Sequence, residues 1–449
     1  MVSTDRKRHY LAVKILTREP KDWERHVEGL LSKHCSTEEG GRLFKPSKTM
    51  RLMLATPSGL EPAFEATEIK SDERICSVDL HEHESRSIKN DTSEPLCQIG
   101  IDLRLHSADY WNPAEAMQPL FGDRDAAHRL IAVPESDETF GVNVVIIDQG
   151  VSRPLVDHFR GVFGGGWKMP DGPTPGATRG GHGSMLARNI LQVAPGATIF
   201  DLPIIPADIT NVRAFLSEAH AAFSEMLANI EGLRETGDAR WQRPWVLVNA
   251  WAAFNLGNEH QRGEPGAANH PLNYSANREH PLNVIIEQAA SKHDVVFAAG
   301  NCGQFCPSRR CGVNDVGPSR SIIGANSHPD VLTVGAVRTD GLWLGYSSQG
   351  PGALCPEKPD VCTPSQFSDK EDAYAGNTGT SAACALAAGV VARLRGKWDG
   401  KIFSPGALKR ILIDTAFGRV EYSRWDGQLG HGIMNYTQAA RKAKARAVT

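Results

Sequence analysis

No stretch of this 449-residue sequence approaches the ~18 consecutive apolar residues that a membrane-crossing helix needs. The start, MVSTDRKRHYLAVKIL, carries basic residues, but its apolar run is short, broken by Lys14 and followed by the charged TREPKDWERH. With no small-residue cleavage site after it, this is a poor secretory signal, and the expectation is a soluble, cytoplasmic protein with no membrane partner. A large imbalance of charge is also missing. A formal net charge of -3 gives no electrostatic basis for nucleic acid or an anionic membrane as the main partner. There is no internal repeat and no low-complexity tract. Paired CxxC motifs are absent as well. The nine cysteines are Cys35, Cys76, Cys97, Cys302, Cys306, Cys311, Cys355, Cys362 and Cys384, an odd number that cannot all pair within the chain. Free thiols are the default for a cytosolic chain. The cluster Cys302, Cys306 and Cys311 is the exception, and its spacing is open to a metal site or to one local disulfide.

What is present is a chain long enough to bury a large core without staples. Its composition changes near residue 140. Before that point, HYLAVKIL (9–16) and TMRLMLAT (49–56) read as strands. KDWERHVEGLLSKH (21–34) spaces Trp23, Val27, Leu30 and Leu31 as a helix does. Residues 68–95 are charged and read as a surface segment or linker. From 140 onward, continuous apolar runs alternate with helical stretches. The runs are VNVVIID (142–148), TIFDLPII (198–205), WVLVNAW (245–251), DVVFAA (294–299) and VLTVGAV (331–337). The helical stretches are 211–235, 282–293 and 404–416, the last with Ser404 as N-cap and Pro405 at its first position. Runs without polar alternation are strands covered on both faces, and this order predicts a parallel sheet flanked by helices.

Three segments carry chemistry. VNVVIIDQGV ends an apolar strand in Asp148, where open α/β sheets place ligands. An acid there can orient a histidine; alternatively it caps a turn. RGGHGSMLARNILQVAPGA surrounds His182 with glycines, which let other segments approach the imidazole, and a helix follows. Histidine is the natural general base near neutral pH, and the alternative is a plain loop histidine. GNTGTSAACALAAGVVARL sets Ser381 at the start of a helix built from small residues. There the helix dipole favours a developing oxyanion; the alternative is an ordinary N-cap serine. The chain order Asp, His, Ser is that of subtilisin. Ala383 in GTSAA breaks the G-x-S-x-G pattern, which counts against a lipase or esterase.

With these motifs in order, residues 140–443 resemble the subtilase family, peptidase family S8. VVIIDQG is similar to the family's Asp motif, GHGS to its His motif and GTSAACALAAGVVA to its Ser motif. VAPGATIFDLPI, VVFAAGN, SHPDVLTVGAV, YSSQGPG and GHGIMNYTQAA resemble further family segments. The resemblance implies a subtilisin-like three-layer α/β fold, a mostly parallel sheet flanked by helices. It also implies a serine endopeptidase acting on protein or peptide substrates. Ser381 would attack the carbonyl, His182 would carry the proton, Asp148 would hold the imidazole, and Asn301 with the Ser381 N–H would bind the oxyanion. Asn301 read alone is a turn residue after a strand. No cofactor or metal is required for that chemistry, and structural calcium is left open.

The sequence departs from the family at Met185 and Arg188 after the histidine, at Ala382, Ala383, Cys384 and Ala385 after the serine, and at Ala250, Trp251, Ala252 and Ala253, where Ser-Leu-Gly-Gly is usual. Substrate preference therefore does not transfer. Segments 255–280 and 302–323 read as inserted loops, and Cys302 could line the cleft. We expect a peptidase domain over 140–445, a linker or the start of that domain over 111–139, and a smaller N-terminal α+β region over 1–110. That region would be an inhibitory propeptide acting intramolecularly or an independent recognition domain. The alternative to an active enzyme is a catalytically idle, subtilase-like binding or scaffold module.

Overall fold

The computed structural model describes residues 7–14, 22–35, 43–44, 50–63, 73–90, 97–108, 120–135, 139, 141–169, 172–205, 215–259, 273–369, 376–418 and 425–447. The N-terminal region contributes β1 (Lys7–Lys14), α1 (Asp22–His34), β2 (Leu43–Phe44), β3 (Arg51–Thr56), β4 (Gly59–Pro62), β5 (Glu73–Leu80), α2 (Glu82–Lys89), β6 (Cys97–Ile101) and β7 (His106–Ser107). Then follow α3 (Arg124–Leu130), β8 (Asn143–Asp148), α4 (Arg153–His158), β9 (Val162–Lys168), α5 (His182–Val193), β10 (Thr198–Pro203), α6 (Leu216–Glu235), α7 (Ala239–Gln242) and β11 (Trp245–Asn249). The chain continues through β12 (Trp251–Ala252), α8 (Pro281–Lys292), β13 (Asp294–Ala298), β14 (Leu332–Val337), β15 (Val361–Pro364), α9 (Gly379–Arg395), α10 (Pro405–Asp414) and α11 (Tyr436–Ala447).

Among the described residues the main sheet has nine strands in the order β15-β14-β13-β11-β8-β10-β9-β3-β4. From β15 to β9 all neighbours pair in parallel; β3 and β4 add an antiparallel edge. The apolar runs explain why. In β8, Val144 and Ile146 enter one core while Val145 and Ile147 enter the other. Side chains alternate across a strand, so a run apolar at every position needs a cover on both faces. The first core is filled from α5 and α9, through Leu186, Ile190, Ala385 and Leu386 among others. The second is filled from α6 and α8, through Phe223, Met226 and Ile286. The three layers, the parallel strands and the smaller N-terminal α+β region are those expected from the sequence.

One local reading is corrected. Residues 68–95 are not simply a surface linker, because β5 and α2 lie within them. Val78, Leu80 and Ile88 are buried there, and the charged residues interleaved with them masked that pattern. The segment VFGGGWK is a strand despite its three consecutive glycines. Its neighbours press close: a Cβ on Gly165 would collide with the Met53 carbonyl on β3, and one on Gly166 with the Asp201 backbone on β10. The expected linker or domain start, 111–139, contains α3, while its first part lies outside the described residues, as do 260–272 of the expected insertion at 255–280. The second insertion, 302–323, has neither helix nor strand.

The N-terminal strands form a four-stranded antiparallel sheet, β2-β5-β1-β6. The buried Asp102, just after β6, fixes it to the rest of the molecule. One carboxylate oxygen accepts from Arg8 Nε (2.8 Å) and from Ser217 Oγ (2.8 Å); the other accepts from the Ser217 N–H at 2.9 Å. An anion thus sits at the N-terminus of α6, where the helix dipole favours it. No helix among the described residues is long and apolar enough to cross a membrane.

Helices α5 and α9 touch where α9 has Gly389, and a Cβ there would collide with Val193 of α5. Gly389→Val should lower stability by about 1–3 kcal/mol through overpacking. It would be read as a lower denaturant midpoint at constant slope; an unchanged midpoint would contradict the close approach.

Candidate active site

Parallel register decides where the strands end. Ile147 of β8 pairs with Asn249 of β11, and Asn249 pairs with Phe297 of β13. The chain therefore leaves all three strands at one level, through Asp148, Ala250 and Ala298, and Asn301 follows three residues on. Asp148 is fully buried. Its Oδ1 accepts from the Gln149 N–H at 2.8 Å and lies 2.6 Å from His182 Nδ1. His182 is the first residue of α5, preceded by Gly181 at φ 93. The next residue must also be small, because a Cβ on Gly183 would run into the Gly150 carbonyl. The glycines flanking the histidine thus let α5 start against the turn after Asp148. The same carboxylate oxygen of Asp148 meets both the backbone of its own turn and the imidazole.

Asn301 and Ser381 converge from opposite sides. The Asn301 side-chain oxygen accepts from the Thr380 N–H and from the Thr380 hydroxyl, both at 2.9 Å. That fixes the amide with its NH2 group facing away, and Nδ2 donates to the Ala108 carbonyl at 2.7 Å. The Ser381 N–H donates to the same carbonyl at 3.4 Å. Ser381 is the third residue of α9, with Thr378 as N-cap, so it is not the N-cap serine of the alternative reading. Its hydroxyl donates to the Ala250 carbonyl at 3.4 Å. The four residues therefore meet as two pairs: Asp148 bonds His182 directly, and Asn301 and Ser381 are joined through the Ala108 carbonyl to which both donate. In this conformation the hydroxyl is turned toward Ala250 instead of the imidazole.

The cleft is occupied by the chain itself. Strand β7 pairs antiparallel with β12, Ser107 opposite Trp251 and His106 opposite Ala252. The Ala108 N–H donates to the Ala250 carbonyl at 2.6 Å. Gln149 Nε2 donates to the Ser107 hydroxyl at 3.1 Å, and Arg310 Nη1 donates to the Ser107 carbonyl at 2.9 Å. Upstream, the Leu216 N–H donates to the Leu103 carbonyl at 3.0 Å. The segment departing from the usual family pattern, Ala250–Ala253, is thus the one that pairs with the occupant. Of the cysteine cluster, Cys302 and Cys311 form a disulfide, Cα–Cα 5.8 Å, which resolves the metal-or-disulfide alternative and corrects the free-thiol default for this pair. Cys302 is buried directly behind Asn301.

A sequence profile of the subtilase family matches residues 139–432, more than half of the chain. The chain belongs to the subtilase family. No curated protein sequence matches it. Among solved structures it is similar to fervidolysin from Fervidobacterium pennivorans, described as a keratinolytic enzyme related to subtilisin, with a TM-score of 0.57 and 14% identity. That match covers 98% of this chain but only 62% of the fervidolysin chain. Two further likenesses are the epidermin leader peptide processing serine protease (EpiP) from Staphylococcus aureus and MycP1 from Mycobacterium smegmatis. The first has a TM-score of 0.49 at 13% identity, covering 97% of this chain and 99% of the other. The second has a TM-score of 0.46 at 17% identity, covering 75% and 90%. The likeness to fervidolysin shows the fold.

Sequence reasoning about this subtilase missed three contributors. Thr380 was visible only as the residue before the serine, yet its N–H and hydroxyl aim the Asn301 amide. Arg310 sits in a segment read as an insertion. Asp201, inside an apolar strand, is fully buried one strand from Asp148. Its Oδ2 accepts from the Val151 N–H (3.1 Å) and the Gly176 N–H (2.9 Å), tying the turn after Asp148 to the loop before α5.

Burial raises the Asp201 carboxyl to about 7, with the nearby Asp148 charge adding to the rise and the two backbone N–H groups opposing it. Between its ordinary value of 3.8 and about 7, the folded chain holds a proton there that the unfolded chain has lost. Stability must therefore fall as pH rises through that window, with the cost fully present above about 7 and absent below 3.8. Asp201→Asn should flatten this contribution. Unfolding curves collected between pH 4 and 8 would check it, and identical slopes in both proteins would refute it.

Proposed function

We propose that this subtilase is a serine endopeptidase, with Asp148, His182 and Ser381 as its triad and Asn301 as oxyanion donor. The single observation carrying the reading is the Ala108 carbonyl, which accepts from both Asn301 Nδ2 and the Ser381 N–H. Those are the donors a tetrahedral oxyanion needs, and the nucleophile's own backbone is one of them. With Asp148 accepting from Nδ1–H, the neutral imidazole carries its lone pair on Nε2. Rotation of the Ser381 side chain away from Ala250 would bring the hydroxyl to that lone pair. Oγ then attacks the carbonyl carbon and its proton passes to Nε2. When the C–N bond breaks, the imidazolium returns that proton to the leaving amine. Water enters, gives a proton to Nε2 and its oxygen to the acyl carbon; the acyl C–Oγ bond then breaks, and the imidazolium returns that proton to Oγ.

The substrates are peptides or proteins, bound extended against Trp251–Ala252 as residues 106–107 are. The N-terminal region over 1–110 acts as an intramolecular inhibitor, with the bond after Ala108 in the scissile position. The cytoplasmic expectation stands against one observation. A structural disulfide, Cys302–Cys311, favours an oxidising compartment. The idle-scaffold reading draws on the Ser381 hydroxyl bonding to Ala250.

Two measurements separate these readings. Diisopropyl fluorophosphate should label the wild type and not Ser381→Ala. Intact-mass analysis should show a cut after Ala108 in the wild type and an uncut Ser381→Ala chain. Asn301→Ala should slow that cut by about 10²–10³, the usual effect of losing one oxyanion donor. Folded wild type that is neither labelled nor cut would favour the scaffold.

A further inference from the structure

The peptide unit between Ser107 and Ala108 is held at both ends. Its N–H donates to the Ala250 carbonyl on strand-forming backbone, and its C=O accepts from Arg310 on the opposite side. Arg310 belongs to the segment after Asn301, and the segment is fastened at three points. Cys311, the next residue, is bonded to Cys302. The Gly312 N–H donates to the Phe254 carbonyl at 2.8 Å, and the Ser308 N–H to the Asn301 carbonyl at 2.8 Å. The guanidinium carbon lies 5.2 Å above the Phe254 ring, and Nε donates to Ser308 Oγ at 3.3 Å. A cation stacked on a ring and bonded through Nε has lost most of its rotamer freedom before it meets the peptide. It then presents a fixed charged donor to a carbonyl, a contact that ignores side-chain identity.

We propose that Arg310 is a substrate-binding arm: it grips the carbonyl of the second residue before the scissile bond in any peptide entering the cleft, and the Cys302–Cys311 disulfide holds it in reach. The proposal rests on the peptidase reading and deepens it. The disulfide is the covalent fastening of the three, so opening it leaves the donor held only by the Ser308 and Gly312 bonds and the Phe254 stack, and its grip loosens.

The test uses the purified full chain, a blocked peptide containing His-Ser-Ala before the cleaved bond, and the same peptide with the Ser carbonyl replaced by a thiocarbonyl, a poorer acceptor. Arg310→Ala should lower kcat/KM for the normal peptide by about ten- to a hundredfold, the range for a hydrogen bond from a charged donor. Diisopropyl fluorophosphate, which offers no peptide backbone, should still label Ser381. Arg310→Lys should recover part of the loss. The thiocarbonyl peptide should be penalised on the wild type and not on Arg310→Ala. Equal penalties on both proteins, or an unchanged kcat/KM in Arg310→Ala, would overturn the arm. Cys302→Ser with Cys311→Ser should reproduce at least part of the Arg310→Ala loss with labelling intact; full peptide hydrolysis in that variant, or a parallel fall in labelling, would overturn the tether. If the wild type itself fails to label, the peptidase reading has failed instead.

Discussion

Because β8, β11 and β13 pair in parallel, with Ile147 beside Asn249 and Asn249 beside Phe297, the chain emerges from three strands at one level. Everything chemical here follows from that alignment. It delivers the Asp148 carboxylate, the Ala250 carbonyl and the turn to Asn301 to one rim of the sheet. A shift of one residue in any of the three strands would turn its side chains to the wrong face and exchange the two cores. The packing that fixes register also fixes the site.

The two helices that begin at this rim are held there by small residues. Gly183 lets α5 start against the Gly150 carbonyl, and Gly389 lets α9 lie against Val193. The coupling is direct: α9 brings Thr380, whose hydroxyl accepts from the Gly300 N–H at 3.1 Å and donates to Asn301. Asn301 is thus aimed by the residue adjoining Ser381. A movement of α9 would displace serine and amide together, so the geometry between them survives small shifts of the helix.

Much of this was legible in the sequence. The runs 142–148, 245–251 and 294–299 read as strands buried on both faces, because they lack polar alternation. The order of Asp148, His182 and Ser381 named the architecture. What could not be read has a physical cause in each case. VFGGGWK lost its strand signature because the approach of Met53 and Asp201 backbones leaves no room for side chains. Val78 and Leu80 were hidden by the charged residues interleaved with them. Arg310 and Thr380 act through the direction of single hydrogen bonds, which no spacing encodes. The occupation of the cleft by 106–108 was invisible because a short strand pairing mainly through its backbone leaves little trace in composition.

Asp102 gives this arrangement a thermodynamic side. The carboxylate that completes the first turn of α6 lies six residues upstream of Ala108, on the part of the chain that would be severed. After such a cut the two pieces would still share the bonds from Ser217 to Asp102 and the strand pairing in the cleft. Departure of the upstream piece would strip α6 of its anion and uncover the rim in one event. The helix end and the cleft would therefore hold the same fragment jointly, and its affinity would measure both.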